Sequence, residues 1–306
     1  IEITDKVAIA KYKSGKIQAI DLRPRIVKNS AGGFYLSNKY KLYFKLNESF
    51  KKNEVIAADE KYFTKSKANG VRMNIGSLQK VAIAPTGMTI EDSAEITAKM
   101  ADDLKAEVLV RIPITVPRIS NVDYICKKGQ AVKTGDEIIR FDNSNADEDI
   151  SKLLANIGKE LQEEVISLSK HKIKSKVTGV IEDIKISSAV ELGELSPTLK
   201  KIVSDHYKDN KEFVNTIDKN ITDKSERLSQ YRAGVFVKDT IGKVTPTAQG
   251  KIKGEVVDDG VLIEIFIKYD DYMAIGDKGA FFTALKFTVG DVIPEGYEPY
   301  SLLRPK

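Results

Sequence analysis

Cysteine and histidine are nearly absent from this 306-residue chain: Cys126 stands alone, and His171 and His206 are the two histidines. An internal disulfide is thereby excluded, and no credible ligand set for a structural zinc can be assembled. Any metal chemistry has to run through carboxylates. Long apolar runs are missing too. No stretch approaches the ~20 apolar residues that a spanning helix needs, and Ile1-Glu2-Ile3-Thr4-Asp5 has neither the basic end nor the apolar stretch of a signal peptide. The expectation is a cytoplasmic chain with no membrane partner, long enough for two domains or for one with a large insertion. Nor does one sign of charge dominate. The 49 Lys and Arg against 44 Asp and Glu leave +5, which permits a polyanionic partner without demanding one.

What the chain does contain is short β-branched and aromatic runs separated by Gly, Asn, Asp and Pro. Val7-Ala8-Ile9, Ile17 to Ile20, Phe34-Tyr35-Leu36, Lys41 to Phe44 and Val81-Ala82-Ile83 read as strands joined by tight turns. One helix is expected to break this region, starting at Thr89 or Glu91, because Ile96, Met100 and Leu104 lie four apart. Glu91 and Asp92 would then sit at a helix N-terminus, where the dipole favours acids by ~0.3–1 kcal/mol. Phe50 to Ile56 and Cys126 to Ile138 share a strand, turn, strand pattern, and Val289 to Ile293 is a shorter echo. Such corners suit a small barrel or barrel-sandwich hybrid.

The middle of the chain is more helical. Ile150, Leu153, Leu154, Ile157, Leu161, Val165 and Leu168 have amphipathic spacing, and Val214, Ile217, Ile221, Leu228 and Tyr231 form a second stripe, together suggesting a projecting helical pair. Between them, Lys170 to Lys176 alternates basic with other residues, and Val177 to Ile186 alternates like a half-buried strand. From Gly234 strands return, and Val261 to Ile267 is apolar enough to be buried on both faces. The expected division is 1–116 and 234–306 as one core, with 117–233 inserted.

Three segments, in order along the chain, resemble the middle-to-late portion of the β subunit of bacterial-type multisubunit RNA polymerases. Asn74 to Ser93, with Gly87 and the acids Glu91 and Asp92, is similar to a family strand ending in Gly-x-Asn-x-Glu-Asp. Val177-Thr178-Gly179-Val180-Ile181-Glu182-Asp183-Ile184 resembles a strand of the family's flap, and Tyr269 to Lys286 resembles the strand end and loop that carry Gly-Asp-Lys and a second lysine, here Lys278 and Lys286. The family's Arg-His-Gly-Asn-Lys-Gly loop is replaced by Phe281-Phe282-Thr283-Ala284-Leu285-Lys286-Phe287, a divergence that fits a viral split subunit acting in a host cytoplasm.

The resemblance implies a β-rich α+β fold with a double-psi β-barrel core and an inserted flap of barrel-sandwich and helical parts. It implies part of the catalytic core of a DNA-directed RNA polymerase, inactive alone. Lys278 and Lys286 would face the RNA 3′ end, and Glu91 and Asp92 would approach the nucleoside triphosphate or Mg²⁺ through water. The Mg²⁺ itself would be held mainly by a β′-like partner subunit, since this chain has no clustered Asp-x-Asp-x-Asp. Partners would be that subunit, the remaining β portions, DNA template, RNA and nucleoside triphosphate, with a promoter-specificity or elongation factor on the flap. Lys170, Lys172, Lys174 and Lys176 could contact nucleic-acid phosphates, although lysines also guard sheet edges against pairing. The competing reading is a noncatalytic nucleic-acid or protein-binding module that reuses barrel parts, because fold does not fix function.

Overall fold

The computed structural model describes residues 2–28, 34–66, 70–74, 76–83, 86–87, 90–142, 170–221, 250–252, 255–257, 259–281 and 285–299. The chain is β-rich with few helices, the coarse α+β class that the alternating short runs require. In chain order the first strands are β1 (Glu2–Ile3), β2 (Val7–Lys11), β3 (Ile17–Asp21), β4 (Arg25–Lys28), β5 (Tyr35–Asn38), β6 (Lys41–Leu42), β7 (Ala57–Ala58), β8 (Phe63–Lys65) and β9 (Val71–Met73). There follow β10 (Ser93–Thr97), α1 (Ala98–Asp103), β11 (Ala106–Pro117), β12 (Asn121–Ile125), β13 (Ala131–Val132), β14 (Glu137–Asp142), β15 (Lys170–Lys174) and β16 (Gly179–Ser188). A 3-10 turn at Leu192–Glu194 leads into α2 (Pro197–Asn220), and the chain continues through β17 (Gly250–Ile252), β18 (Glu255–Val257), β19 (Gly260–Asp271), β20 (Lys278–Phe281) and β21 (Leu285–Ile293). Among the described residues no helix is long and apolar enough to cross a membrane.

Two compact units are made, each from two separate stretches: Ile1–Arg72 with Leu109–Tyr269, and Met73–Val108 with Asp270–Lys306. The larger unit is organised by a six-stranded sheet of order β13-β16-β19-β11-β5-β4. Strands from the early, middle and late thirds of the sequence therefore share one sheet. At its centre β19 is buried continuously from Val261 to Ile267, as its unbroken apolar run requires. Its odd positions Val261, Ile263, Ile265 and Ile267 join Ile181, Ile186 and Val116 in the main core. Its even positions face the other way: Leu262 packs with Ala189 and Val257, and the Phe266 ring meets Tyr35 edge-on at 5.7 Å. Between them Glu264, 1% exposed, receives the Arg111 Nε–H at 2.8 Å.

Helix α2 starts at Ser196, whose hydroxyl accepts the Leu199 N–H, with Pro197 in the first turn, where its missing N–H costs nothing. Leu199, Val203 and Tyr207 enter the main core, and one turn further on Phe213, Ile217 and Ile221 close over Val7 and Ile9. This corrects the projecting helix expected over Val214 to Tyr231: Ile217 and Ile221 of the stripe are buried, while Leu228 and Tyr231 lie outside the described residues. The helix expected from Ile150 to Leu168 lies outside them as well.

The recurring Lys-Gly pattern resolves into a repeated turn rather than a repeated strand pair. In Lys127–Gln130, Lys133–Asp136 and Ala274–Asp277 the third residue is a glycine at φ 82°, 92° and 91°. The fourth residue's N–H donates to the first carbonyl, and its side chain accepts the first residue's N–H at 2.9, 2.7 and 2.8 Å. Lys45–Glu48 and Lys51–Glu54 repeat the arrangement with Asn47 and Asn53 at φ 63° and 64°. A short acid or amide after a left-handed Gly or Asn thus closes each corner from both sides. Phe50 to Ile56 is accordingly turn and loop, and Val289 to Ile293 runs straight through β21 instead of turning. Val81 and Ile83, expected in a strand, lie in an irregular segment, 64% and 102% exposed. Among the described residues no sheet closes into a barrel.

Candidate functional site

The smaller unit is built on a three-stranded sheet of order β10-β21-β20. Gly276-Asp277-Lys278-Gly279 opens it, and each residue has a local reason. Gly276 takes φ 91° in the turn, and Asp277 accepts the Ala274 N–H through Oδ2. Gly276 and Asp277 also exchange backbone hydrogen bonds with Val289, both at 2.8 Å. A Cβ on Gly279 would come within 2.2 Å of the Phe287 ring, so only glycine lets that ring cover the strand. Phe287 and Val289 then pack with Ile96 and Ala101 as the core of this unit.

This core fixes which side chains face out. Lys278 lies directly opposite Thr288, and Ala280 opposite Lys286. These four share a face, because directly opposed residues of an antiparallel pair point the same way. Gly279, Phe281, Phe287 and Val289 take the inner face. Lys278 and Lys286 are diagonal neighbours, with backbones about 7–8 Å apart, and both are exposed. The connecting residues 282–284 lie outside the described set.

β10 joins the other edge of β21 in parallel, with Ser93 beside Thr288. The Thr288 N–H donates to the Asp92 carbonyl at 3.0 Å. Asp92 is thus tied to the strand that carries Lys286, one residue position from Ser93. Glu91 sits in a turn closed by the Ser93 N–H on the Ile90 carbonyl, with φ 55°. The expected helix start at these acids is overturned. They precede a strand, and α1 begins only at Ala98, capped by the Thr97 hydroxyl, which accepts the Met100 N–H at 3.1 Å. The apolar side chains four apart misled because Ile96 is a strand residue whose burial comes from pairing with β21. The helix-dipole explanation for the two acids falls with it.

Lys278 and Lys286 belong to one small sheet, and Glu91 and Asp92 lie in the turn that leads into its strand β10, although about 190 positions separate the acids from the lysines. The arrangement combines two cations on an open face with two exposed carboxylates at the mouth of the neighbouring strand. Chemically it can neutralise phosphate charge and hold a hydrated cation, since Mg²⁺ keeps several waters and takes one or two carboxylates. Among the described residues no group of three or more His, Cys, Asp or Glu is disposed to hold a metal ion. Thr288 and Ser93 share this surface and were not singled out from sequence. The signal available was alternation, since Thr288 follows Lys286 by two.

The lysines at 170, 172, 174 and 176 lie elsewhere, in the larger unit. Lys170, Lys172 and Lys174 belong to β15, the outer strand of a sheet of order β12-β14-β15, and Lys176 lies just past it. Lys170 pairs with Asp123 at 2.8 Å, and Arg140, opposite Lys172, bridges Glu137 at 3.3 Å and Asp123 at 3.7 Å. Lys172, Lys174 and Lys176 are exposed and make no ion pair among the described residues. His171 is stacked on Phe141 at 5.4 Å, and His206 accepts the Ile186 N–H through Nε2, so both histidines serve the fold. No protein-family model matches this chain, and no curated protein matches it.

Proposed function

We propose that this chain is part of the catalytic core of a DNA-directed RNA polymerase, contributing cationic and acidic side chains beside metal ions held by a partner subunit. The observation that supports the reading is that the turn bearing Glu91 and Asp92 leads directly into the strand paired with the one that carries Lys286, with Lys278 on the next strand, an arrangement that the resemblance to polymerase β subunits asks for and that chance lysines would not need. Nucleotidyl transfer requires charge neutralisation on the triphosphate and on the RNA end rather than covalent chemistry from the protein. Lys278 and Lys286, flexible point charges on an open face, supply that without imposing rigid geometry. Glu91 and Asp92 would orient water of a Mg²⁺ ion, which supplies the Lewis acidity when bound. A β′-like subunit, template, RNA and nucleoside triphosphate complete the site, and a double-psi barrel is the architecture that this reading implies.

The test uses the assembled polymerase. Lys278→Ala and Lys286→Ala should leave assembly intact, because an exposed lysine contributes no more than about 0.5 kcal/mol to stability. Each should slow single-turnover extension on a preformed RNA–DNA scaffold by about 10²-fold, the scale of losing one donor that stabilises transition-state charge. Extension at the wild-type rate in both variants would overturn the assignment. The noncatalytic alternative has its own support in Lys172 and Lys174 on an outer strand and Lys176 just past it, which make no ion pair among the described residues, and it predicts a loss of nucleic-acid binding from replacing those lysines with extension untouched.

A further inference from the structure

The larger unit holds a cleft that the site above does not use. Its floor is Ala8, Ala10 and Ile20, on the face of the β1-β2-β3 sheet opposite to the one that helix α2 covers, with Ala8 and Ile20 buried. Its wall is the segment from Leu42 to Ile56, where Phe44 and Phe50 meet at 5.7 Å and Tyr12 stands edge-on to Phe50 at 5.6 Å. Ile3 and Leu46, also in its lining, are 38% and 55% exposed. The volume is ≈ 120 Å³. That is below the roughly 300–1,000 Å³ of pockets for cofactor-sized ligands and near the roughly 150 Å³ cavity that accommodates one benzene ring. It suits a single large apolar side chain.

Cations outnumber acids in the lining, where Lys11 and Lys45 face one acid, Glu48. The Glu48 carboxylate is turned onto the Lys45 N–H, where it closes an Asn turn, as Glu54 does on the Lys51 N–H of the adjoining turn. Lys11 and Lys45 line the cleft, and Lys51 and Lys52 stand exposed on the adjoining turn; none of the four makes an ion pair among the described residues. An apolar socket with the exposed side chains of Ile3 and Leu46 in its lining, and with two lysines that make no ion pair among the described residues, has the anatomy of a protein anchor site: one buried side chain, with charge at the edge setting partner choice.

We infer that this cleft docks an acidic segment of a partner protein, seating one aromatic or large aliphatic side chain in the socket while flanking carboxylates meet Lys11 and Lys45. The inference does not depend on the polymerase reading and stands or falls separately. The experiment is fluorescence anisotropy on the full chain with a labelled short peptide carrying one Phe between Asp and Glu residues. Saturable binding is expected below about 1 mM. It should weaken about tenfold or more in Lys11→Glu/Lys45→Glu, whose circular dichroism should match wild type. Replacing the peptide's Phe by Ala should weaken it similarly. Ala10→Phe, which fills the cleft, should abolish binding, and if that variant fails to fold, the lysine variant decides. Equal affinity for a peptide with Lys in place of its acids, an unchanged affinity in the double lysine variant, displacement by oligouridine or decanoate at equal concentration, or no saturable binding would each overturn the proposal.

Discussion

Replacing Glu264 is the sharpest test of the sheet that organises the larger unit. Its carboxylate is 2% exposed, Arg111 Nε lies 2.8 Å away with its side chain 13% exposed, and Lys185 is directly opposite on β16. Glu264→Leu would remove the carboxylate to which Arg111 Nε donates, at a position between Leu262 and Phe266 on that face of β19. Removing one partner of a buried pair costs about 3–5 kcal/mol, because the remaining charge is stranded. Against a typical total of about 5–15 kcal/mol, that is a large share of the stability. Replacing both partners by apolar groups of similar volume is instead near neutral or stabilising. Glu264→Leu should therefore lower the unfolding free energy by about 3 kcal/mol or more, and adding Arg111→Met should recover most of it. Urea denaturation followed by far-ultraviolet circular dichroism reads both. A single variant within about 0.5 kcal/mol of wild type would refute the reasoning. So would a double variant no more stable than the single one, since the cost would then lie in packing rather than in charge.

Two further outcomes follow from the packing. Gly279→Ala should destabilise the smaller unit by about 1–3 kcal/mol by overpacking against Phe287, and Phe287→Leu in the same chain should relieve part of that loss, measured by amide hydrogen exchange in β20 and β21; unchanged protection in Gly279→Ala would sink it. Cys126 is 2% exposed, and burial pushes its thiol up to about 11. It should react with iodoacetamide at pH 8 far more slowly in the native chain than in urea, and equal rates would contradict the burial. Because the folded thiol holds its proton longer than the unfolded one, its contribution to stability is full below about 9 and is lost as pH rises towards about 11.

Much of the larger unit was legible from sequence because its signals are local or saturated. Val261 to Ile267 has no polar break except Glu264, so only a strand covered on both faces can hold it, and β19 is that strand. Lys170 to Lys174 and Val177 to Ile186 show period-two alternation and form β15 and β16. The errors arose where the deciding partner is remote. Ile96, Met100 and Leu104 have helical spacing, but Ser93 to Thr97 pairs with residues 288–293, which no local pattern reveals. Val81 and Ile83 are β-branched or apolar in an alternating run, yet propensity without a partner strand leaves them exposed. The repeated corners were visible as Lys-Gly strings. Their cause, the acid or amide that closes each turn, was not read, although Glu48, Glu54, Gln130, Asp136 and Asp277 all follow the left-handed residue by one.

The same remoteness explains how the candidate site can exist at all. Its acids and lysines belong to segments about 190 residues apart, and closing such a loop costs about 2 kcal/mol more than closing one of twenty residues. Pairing within the larger unit offsets most of that cost. β11 and β19 are neighbours, and they run antiparallel: Gly260 abuts Val116, Arg118 N–H donates to the Asp259 carbonyl at 3.3 Å, and Arg111 reaches Glu264. Residues 109 and 269 therefore lie at the same end of the sheet, and the segments carrying Glu91-Asp92 and Lys278-Lys286 depart from adjacent strands. What remains for β10 and β21 is a local pairing, stabilised by burying Ile96, Phe287 and Val289 at about 1.5–3 kcal/mol each. The buried Arg111–Glu264 pair thus lies in the strand pair that delivers the two halves of the candidate site to one another.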